Sequence, residues 1–219
     1  MKKRISMVFV CLFSLFIINV YPINAQESFS EEAYESRNEF TFDEMVDRIS
    51  KEDGLSKQEI IKKLISSEKQ SLKNKNNSPQ LNDNDILNSL RAAVYRTLTI
   101  PIPSVASYKP NGIEFYHKSA DFEGSQMTCT QILWINLDRL DSRTGVTKQF
   151  SGSIHLQLLN AQTIDWMISG DFFENGSTSV GETVTGGIGD FASVTLSASY
   201  SSNHFAYYNQ SGRYYMPNR

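Results

Sequence analysis

The spacing of apolar residues changes once along this chain, from a helical period to a period of two. Between residues 40 and 68, apolar side chains recur at intervals of three and four, as along one face of an amphipathic helix. From residue 94 onward, apolar and polar residues alternate, as in a β-strand with one buried face. The pattern predicts an α+β protein with an N-terminal helical hairpin followed by an antiparallel β-sandwich domain.

Capping boxes mark two helix starts in the helical segment. Thr41 is followed three residues later by Glu44, and Ser56 by Glu59, so hydroxyl and carboxylate can each bond a backbone N–H at the start of a helix. Gly54 lies between the two segments, and glycine ends a helix in the left-handed conformation without steric cost. We therefore expect two short helices joined by a glycine turn.

Composition divides the chain into five segments. Residues 26–39 are acidic and polar with no period, which is typical of a flexible tail. Residues 69–84 are rich in Ser, Lys, Asn and Asp, which is typical of a linker. The predicted organisation is a signal peptide (1–25), a flexible tail (26–39), a helical hairpin (40–68), a polar linker (69–84) and a β-sandwich domain (85–219) that opens with a short helix (85–93).

Short alternating runs predict about seven to nine antiparallel strands in the C-terminal domain. A turn at 141–145 is expected to join a strand at 130–140 to one at 146–158 as a hairpin. Asn175 and Gly176 form a dipeptide that favours a two-residue hairpin turn, because both positions tolerate positive φ. No helical pattern alternates with these strands, which argues against a parallel sheet.

The first 25 residues have the organisation of a secretory signal peptide. Positions 2–4 are basic, and the apolar run 8–20 is shorter than the ~20 residues of a membrane-spanning helix. Ala25 supplies a small residue before the expected cleavage point. We expect a secreted, extracellular protein that is cleaved near Ala25 and has no membrane anchor afterwards.

Composition and charge exclude several classes of protein. With 40% hydrophobic and 21% charged residues, the chain is neither disordered nor collagen-like. Loss of the three basic residues of the leader leaves 18 Lys and Arg against 24 Asp and Glu, a net charge of −6. This charge argues against nucleic acid as a partner and against a DNA-binding helix-turn-helix. Cys129 then remains without an internal disulfide partner and is expected to be buried.

Catalytic and metal-binding motifs are missing from the sequence. His117, His155 and His204 lack the paired spacing of zinc ligands. Asp165 and Asp171 are six residues apart on one predicted strand, about 20 Å, which is too far for a glycosidase pair. We expect no cofactor and no metal, and we favour a non-enzymatic protein. The alternative is a hydrolase whose site is assembled from distant loops around His155 or His204.

Aromatic residues cluster near the C-terminus, and they suggest a binding surface. Exposed tyrosine and tryptophan rings offer contact area at low entropic cost, although the same residues also fill sandwich cores. The expected ligand is a protein or a cell-wall glycan, and the oligomeric state is left open. The residues predicted to bind it are Trp134, His204, Tyr207, Tyr208 and Tyr214.

A second alternative is a membrane-active or antimicrobial β-hairpin. The Ser- and Thr-rich arms 177–185 and 191–201 have the length of strands that cross a bilayer, roughly 9–11 residues. Glu182 shares its parity with the apolar residues Val180 and Val184, so it would face lipid. That placement is costly and argues against insertion.

One stretch of the β-domain carries a resemblance. Residues 169–178, SGDFFENGST, with 202–207, SNHFAY, downstream, resemble small secreted proteins of Gram-positive bacteria that have no assigned function. The resemblance covers residues 91–219. It implies an exported, β-rich protein and brings no catalytic residues with it.

Overall fold

The computed structural model describes residues 39–74, 81–119 and 128–216. Over these residues the protein is α+β, with three helices and antiparallel sheets. The predicted signal peptide and residues 26–38 of the predicted tail lie outside them. The helices are α1 (Phe42–Asp53), α2 (Lys57–Asn74) and α3 (Asp83–Arg91). The strands are β1 (Tyr95–Ile100), β2 (Gly112–Ser119), β3 (Cys129–Asp138), β4 (Leu140–Asp141), β5 (Val146–Thr147), β6 (Gln149–Asn160), β7 (Thr163–Val184), β8 (Gly186–Gly187) and β9 (Phe191–Tyr215).

Both predicted capping boxes are present. The Thr41 backbone N–H donates to a Glu44 carboxylate oxygen at 2.8 Å, and the Glu44 N–H donates to the Thr41 hydroxyl at 3.3 Å. The same pair of bonds at Ser56 and Glu59 measures 2.9 and 3.3 Å. Gly54 ends α1 with φ 68°, as predicted for a left-handed C-cap. Local sequence chemistry therefore sets the ends of these two helices.

Helix α2 continues past the end that the sequence predicted, into the segment 69–84 that we expected to be a linker. It runs to Asn74, because Leu72 packs against the same apolar cluster as the earlier residues of the helix. Residues 75–80 lie outside the described part. The short helix α3 begins at Asp83, where the Asn82 side chain accepts a bond from the Asp85 N–H at 3.0 Å.

The first sheet has the strand order β1-β2-β3-β8, and its described pairs are antiparallel. Leu98 of β1 lies opposite Phe115 of β2, which lies opposite Ile135 of β3. Strand β8 contributes two glycine positions, and Gly186 pairs with Ile132. Strand β3 therefore has a neighbour on each side.

The second sheet closes on itself through β6, β7 and β9. Strands β7 and β9 pair along most of their lengths, and β6 pairs with the first part of each. Ile154 of β6 lies opposite both Ile168 and Val194, and all three side chains are buried. The predicted alternation in β6, β7 and β9 is confirmed.

The hairpin turn predicted at Asn175 and Gly176 is wrong. Strand β7 runs through both residues, and Asn175 pairs with Ser202 of β9. A register shift follows between Asn175 and Ser177, so the positive φ of Gly176, 122°, is used in an irregular strand pairing rather than in a turn. The chain reverses instead near Gly189, whose φ is 85°.

The hairpin predicted between 130–140 and 146–158 is also wrong, because only the turn and the short strands beside it are present. The turn itself is present, and the Gly145 N–H donates to the Asp141 carbonyl at 2.8 Å. Only β4 and β5 pair beside it, however, because β3 is bonded to β2 and β8 while β6 belongs to the closed sheet. The chain passes from one sheet to the other at this turn.

Two apolar clusters hold these elements together. The inter-sheet core joins the two sheets, and its members include Leu98, Phe115, Ile135, Phe150, Ile154, Trp166, Ile168, Phe172, Val194 and Tyr208. The helix–sheet core joins the helices to the first sheet, and its members include Phe42, Met45, Ile49, Leu64, Leu90, Tyr95, Tyr116, Leu133 and Trp134. Among the described residues, no helix combines the length and apolar character that crossing a membrane would require.

Candidate binding surface

The closed sheet has one face that points away from the inter-sheet core, and we call it the outer face. Its side chains are those that alternate with the buried positions of β6, β7 and β9, and they are exposed or half-buried. The outer face includes the side chains of Ser153, His155 and Gln157 of β6, Asp165, Met167, Ser169, Asp171 and Phe173 of β7, and Phe191, His204, Tyr207, Asn209, Ser211, Arg213 and Tyr215 of β9.

Four large apolar or aromatic side chains are exposed on the outer face. Phe191, Tyr207 and Tyr215 keep 62%, 61% and 65% of their surface exposed, and Met167 keeps 43%. Three exposed aromatic rings and one exposed methionine therefore lie on the outer face. Exposed aromatic rings offer contact area to a ligand at low entropic cost.

A histidine and a carboxylate meet where the pairing of β7 with β9 shifts register, between Phe172 and Phe173. The His204 Nε2 atom lies 2.8 Å from Asp171 Oδ1, and the His204 ring meets Phe173 edge-on with ring centroids 5.7 Å apart. The sequence places Asp165 and Asp171 too far apart for a catalytic pair of carboxylates, and it does not show which residue on another strand contacts either of them. In the described residues no hydroxyl or thiol group hydrogen-bonds to His204.

The second carboxylate of this strand is held by an arginine. The Arg213 Nε and Nη2 atoms donate to the two Asp165 oxygens at 2.6 and 2.8 Å. This two-bond contact fixes the planar guanidinium group, and it raises the pKa of Arg213. Asp165 and Arg213 lie in the same cross-strand row as Gln157 of β6 and Phe191 of β9. The row crosses four adjacent strand segments.

Two of the five residues predicted to bind a ligand lie on the outer face. They are His204 and Tyr207, and the Tyr207 hydroxyl is 3.3 Å from the Ser169 hydroxyl. Tyr208 points the opposite way, since neighbouring residues of a strand face opposite sides. It is buried and donates to the Pro103 carbonyl at 2.7 Å. Tyr214 has the same parity as Tyr208 and packs half-buried against the inter-sheet core.

Trp134, which the sequence also predicted to bind the ligand, does not lie on the outer face. It is 1% exposed in the helix–sheet core, and its Nε1–H donates to Asp53 Oδ2 at 2.8 Å. The sequence singled it out because it is aromatic, but the helices cover the side of β3 from which it projects. Tyr215, Phe191 and Met167 were missed, although the alternation that places Tyr207 outward also applies to Tyr215.

The Cys129 thiol and the His117 imidazole do not reach the surface. Cys129 is fully buried as expected, and burial raises the pKa of its thiol. Burial also lowers the pKa of His117 to about 4, against a weaker opposing effect from its hydrogen bond to the Lys118 backbone. A neutral imidazole and a protonated thiol are structural groups here.

Two carboxyl groups are half-buried where α1 covers the first sheet. Partial burial raises the pKa of Asp53 to about 6, although the Trp134 hydrogen bond acts in the opposite direction. Partial burial, with the neighbouring carboxylates of Glu52 and Asp138, raises the pKa of Glu114 to about 7. Within the described ranges, no three His, Cys, Asp or Glu side chains are grouped so that they could hold a metal ion.

Helix α2 holds the Ser- and Thr-rich hairpin that was considered for membrane insertion. The Lys63 ammonium group donates to the Gly181 carbonyl. The Thr185 N–H donates to the Ser67 hydroxyl at 2.6 Å, and that hydroxyl lies 3.1 Å from the Thr185 hydroxyl. Glu182 is exposed and Val180 is partly buried, and a register shift in the pairing with β9 falls between Val180 and Thr183. Insertion would have to break these contacts first.

Known proteins offer no guide to what the outer face binds. Comparisons of this chain with protein-family models, with curated proteins and with solved structures found no match.

Proposed function

We propose that this chain is an exported, non-enzymatic protein that binds a protein or a cell-wall glycan outside the cell. The observation that carries the proposal is the exposure of Tyr207 and Tyr215, at 61% and 65%, on the outer face. Large rings fixed on a sheet lose little conformational freedom when a ligand covers them. Their exposure supports a ligand-binding role for the outer face.

Export is the second part of the proposal. The basic positions 2–4, the apolar run 8–20 and the small residue Ala25 support a signal peptide that is removed after translocation. We also propose that the chain belongs with the small secreted Gram-positive proteins that residues 169–178 resemble. Mass spectrometry of the protein recovered from culture medium tests export, and an N-terminus at Gln26 is the expected result.

We further propose a finer architecture, in which 40–68 is a helical hairpin and the two sheets face each other as a sandwich. Side chains of α1 and α2 share the helix–sheet core, which supports the hairpin. The inter-sheet core draws side chains from both sheets, which supports the sandwich. A crystal structure of residues 26–219 tests this arrangement.

The binding proposal is tested by co-sedimentation of residues 26–219 with bacterial cell walls and, in parallel, with liposomes. We expect the protein to pellet with walls and not with liposomes. A Tyr207→Ala/Tyr215→Ala variant should bind at least about tenfold more weakly, since exposed anchor rings dominate binding. The matched control is Leu140→Ala/Val146→Ala, which removes two apolar side chains of 40% and 43% exposure away from the outer face. It should bind as the wild type does.

Two results would contradict the proposal. Pelleting with liposomes together with release of an enclosed dye would replace it with the membrane-active hairpin of residues 177–201. The binding role would be excluded by two negative results together. The wild-type protein would stay in solution in the presence of walls, and no immobilised extracellular protein would retain it in a way that Tyr207→Ala weakens. Circular dichroism of each variant shows whether a loss of binding reflects a loss of fold.

A further inference from the structure

We propose that the outer face binds an extended, uncharged polysaccharide, with Tyr207 and Tyr215 as its aromatic contacts. This inference rests on the proposed function, because it names the ligand class for the same surface.

The exposed rings are spaced for a chain-like ligand. Tyr207 and Tyr215 lie eight residues apart on one face of β9, which is about 26 Å along the strand. The pairing of β7 with this part of β9 has no register shift between them, so both rings stay on the same side. Pyranose rings present an apolar C–H face that packs on aromatic rings. Two such contacts so far apart suit a polymer better than a single sugar.

The charges of the outer face are already paired with each other. Asp165 contacts Arg213 through two bonds, and Asp171 contacts His204 at 2.8 Å. The Arg213 cation is held by the Asp165 carboxylate, and such a pair produces little field at a distance, so a polyanionic ligand gains little attraction from this surface. The charges therefore favour an uncharged ligand over an anionic one.

Most side chains between the rings are polar. Ser169, Asn209 and Ser211 lie between Tyr207 and Tyr215 or beside them, together with the exposed Met167 and the Asp165–Arg213 pair. Hydroxyl and amide groups donate and accept hydrogen bonds, as sugar hydroxyls do. The core of a protein–protein interface is instead a contiguous, desolvated apolar patch. The interrupted pattern favours a glycan over a protein.

The sheet beneath this surface is tightly packed. Gly152 lies opposite Gly170, and a Cβ added at either would come within 2.8 or 2.6 Å of the Phe150 ring. A Cβ on Gly212 would come within 2.7 Å of the Trp166 ring. Such packing holds the backbone that carries the outer-face side chains, and a fixed surface loses less entropy on binding.

The test is binding of residues 26–219 to four insoluble or gel-immobilised polysaccharides. Cellulose, chitin and starch are uncharged, and polygalacturonate is anionic. We expect binding to at least one uncharged polymer, competition by its soluble oligosaccharides and no binding to polygalacturonate. The affinity should change less than about twofold between 0.05 and 0.5 M NaCl, because an uncharged ligand forms no ion pair with the protein for salt to screen.

Variants separate the surface from the rest of the molecule. Tyr207→Ala and Tyr215→Ala should each weaken binding about tenfold, and Tyr207→Phe should keep most of it, because the ring makes the contact. Asp165→Asn/Arg213→Gln removes a charge pair without removing a ring and should leave salt dependence low. Leu140→Ala/Val146→Ala is again the control, and circular dichroism reports folding.

The outcomes distinguish this inference from the proposed function. Binding to walls with no binding to any uncharged polymer would overturn the polysaccharide inference and leave the binding role standing. Binding to polygalacturonate that falls steeply with salt would overturn it as well, and so would glycan binding that ignores both tyrosines. Failure to bind walls, polysaccharides and proteins alike would remove the proposed function itself.

Discussion

The two apolar clusters of this protein differ in the polar groups that border them. Aromatic rings meet in both, and in the inter-sheet core the Phe172 centroid lies 5.0 Å from that of Phe150 and 5.3 Å from that of Tyr108. The helix–sheet core is bordered by partly buried polar contacts, and Tyr116 donates to the Glu52 carboxylate at 3.0 and 3.1 Å. Hydrophobic burial, which joins the sheets, does not itself depend on pH. The attachment of the helices depends also on ionisable groups, so the two contacts should respond differently to mutation and to pH.

The largest expected effect comes from opening the inter-sheet core. Phe172→Ala removes a fully buried ring and should lower the free energy of unfolding by about 3–5 kcal/mol. Urea denaturation at pH 7 measures it, with Phe172→Leu as a milder companion. A loss below about 1 kcal/mol would mean that this ring does not support the core as we describe it.

Removing the Trp134–Asp53 hydrogen bond at the helix–sheet core should lower the free energy of unfolding by less than Phe172→Ala does. Trp134→Phe keeps a large ring but leaves the half-buried Asp53 without one of its two donors, the other being Asn136 at 2.6 Å. We expect a loss of about 1–3 kcal/mol in urea denaturation. Trp166→Phe in the inter-sheet core is the matched control for ring size. Equal losses for the two variants would argue against a special role for the Asp53 contact.

The pH dependence should separate the two clusters. The folded pKa of Glu114, about 7, is above its unfolded value, so its contribution to stability is present at pH 4 and is lost as pH rises toward 7. Glu114→Gln should therefore match the wild type near pH 4 and exceed it by about 1–2 kcal/mol at pH 8. His117, whose pKa is lowered to about 4, acts in the opposite direction but is present in both proteins and cancels. A constant difference between the two proteins, measured by urea denaturation across this range, would contradict the prediction.

The smallest effect is expected on the outer face. Arg213→Ala removes an ion pair whose side chains are 49% and 35% exposed, and such pairs contribute less than about 1 kcal/mol. Thermal denaturation should show almost no shift, and Ser211→Ala serves as the neighbouring control. A large loss would mean that the outer face stabilises the fold rather than being free for a ligand.

Local chemistry was readable in the sequence, and long-range pairing was not. The capping box of Thr41 and Glu44 depends on residues three apart, so its prediction was correct. Gly176 fits a turn or an irregular strand equally well, and its pairing region, near Ser202 on β9, decided between them. That partner lies too far along the chain for local patterns to reveal.

The candidate surface was predictable only in part, for the same reason. Alternation requires Tyr207 and Tyr208 to face opposite sides, but it does not say which side is buried. Their partners on β7 decide it: Tyr207 lies opposite Asp171 and Tyr208 opposite Gly170. Trp134 was misplaced because the helices that cover it come from a separate part of the chain.

The contacts from α2 to the end of β7 also bear on how the molecule is made. Lys63 and Ser67 are each 118 residues away from their partners, Gly181 and Thr185. The helices are synthesised first but find these partners only when most of the chain has emerged. Contacts of such sequence separation slow folding. If the chain is exported, slow folding would keep it unfolded during passage and defer assembly until the last strands arrive.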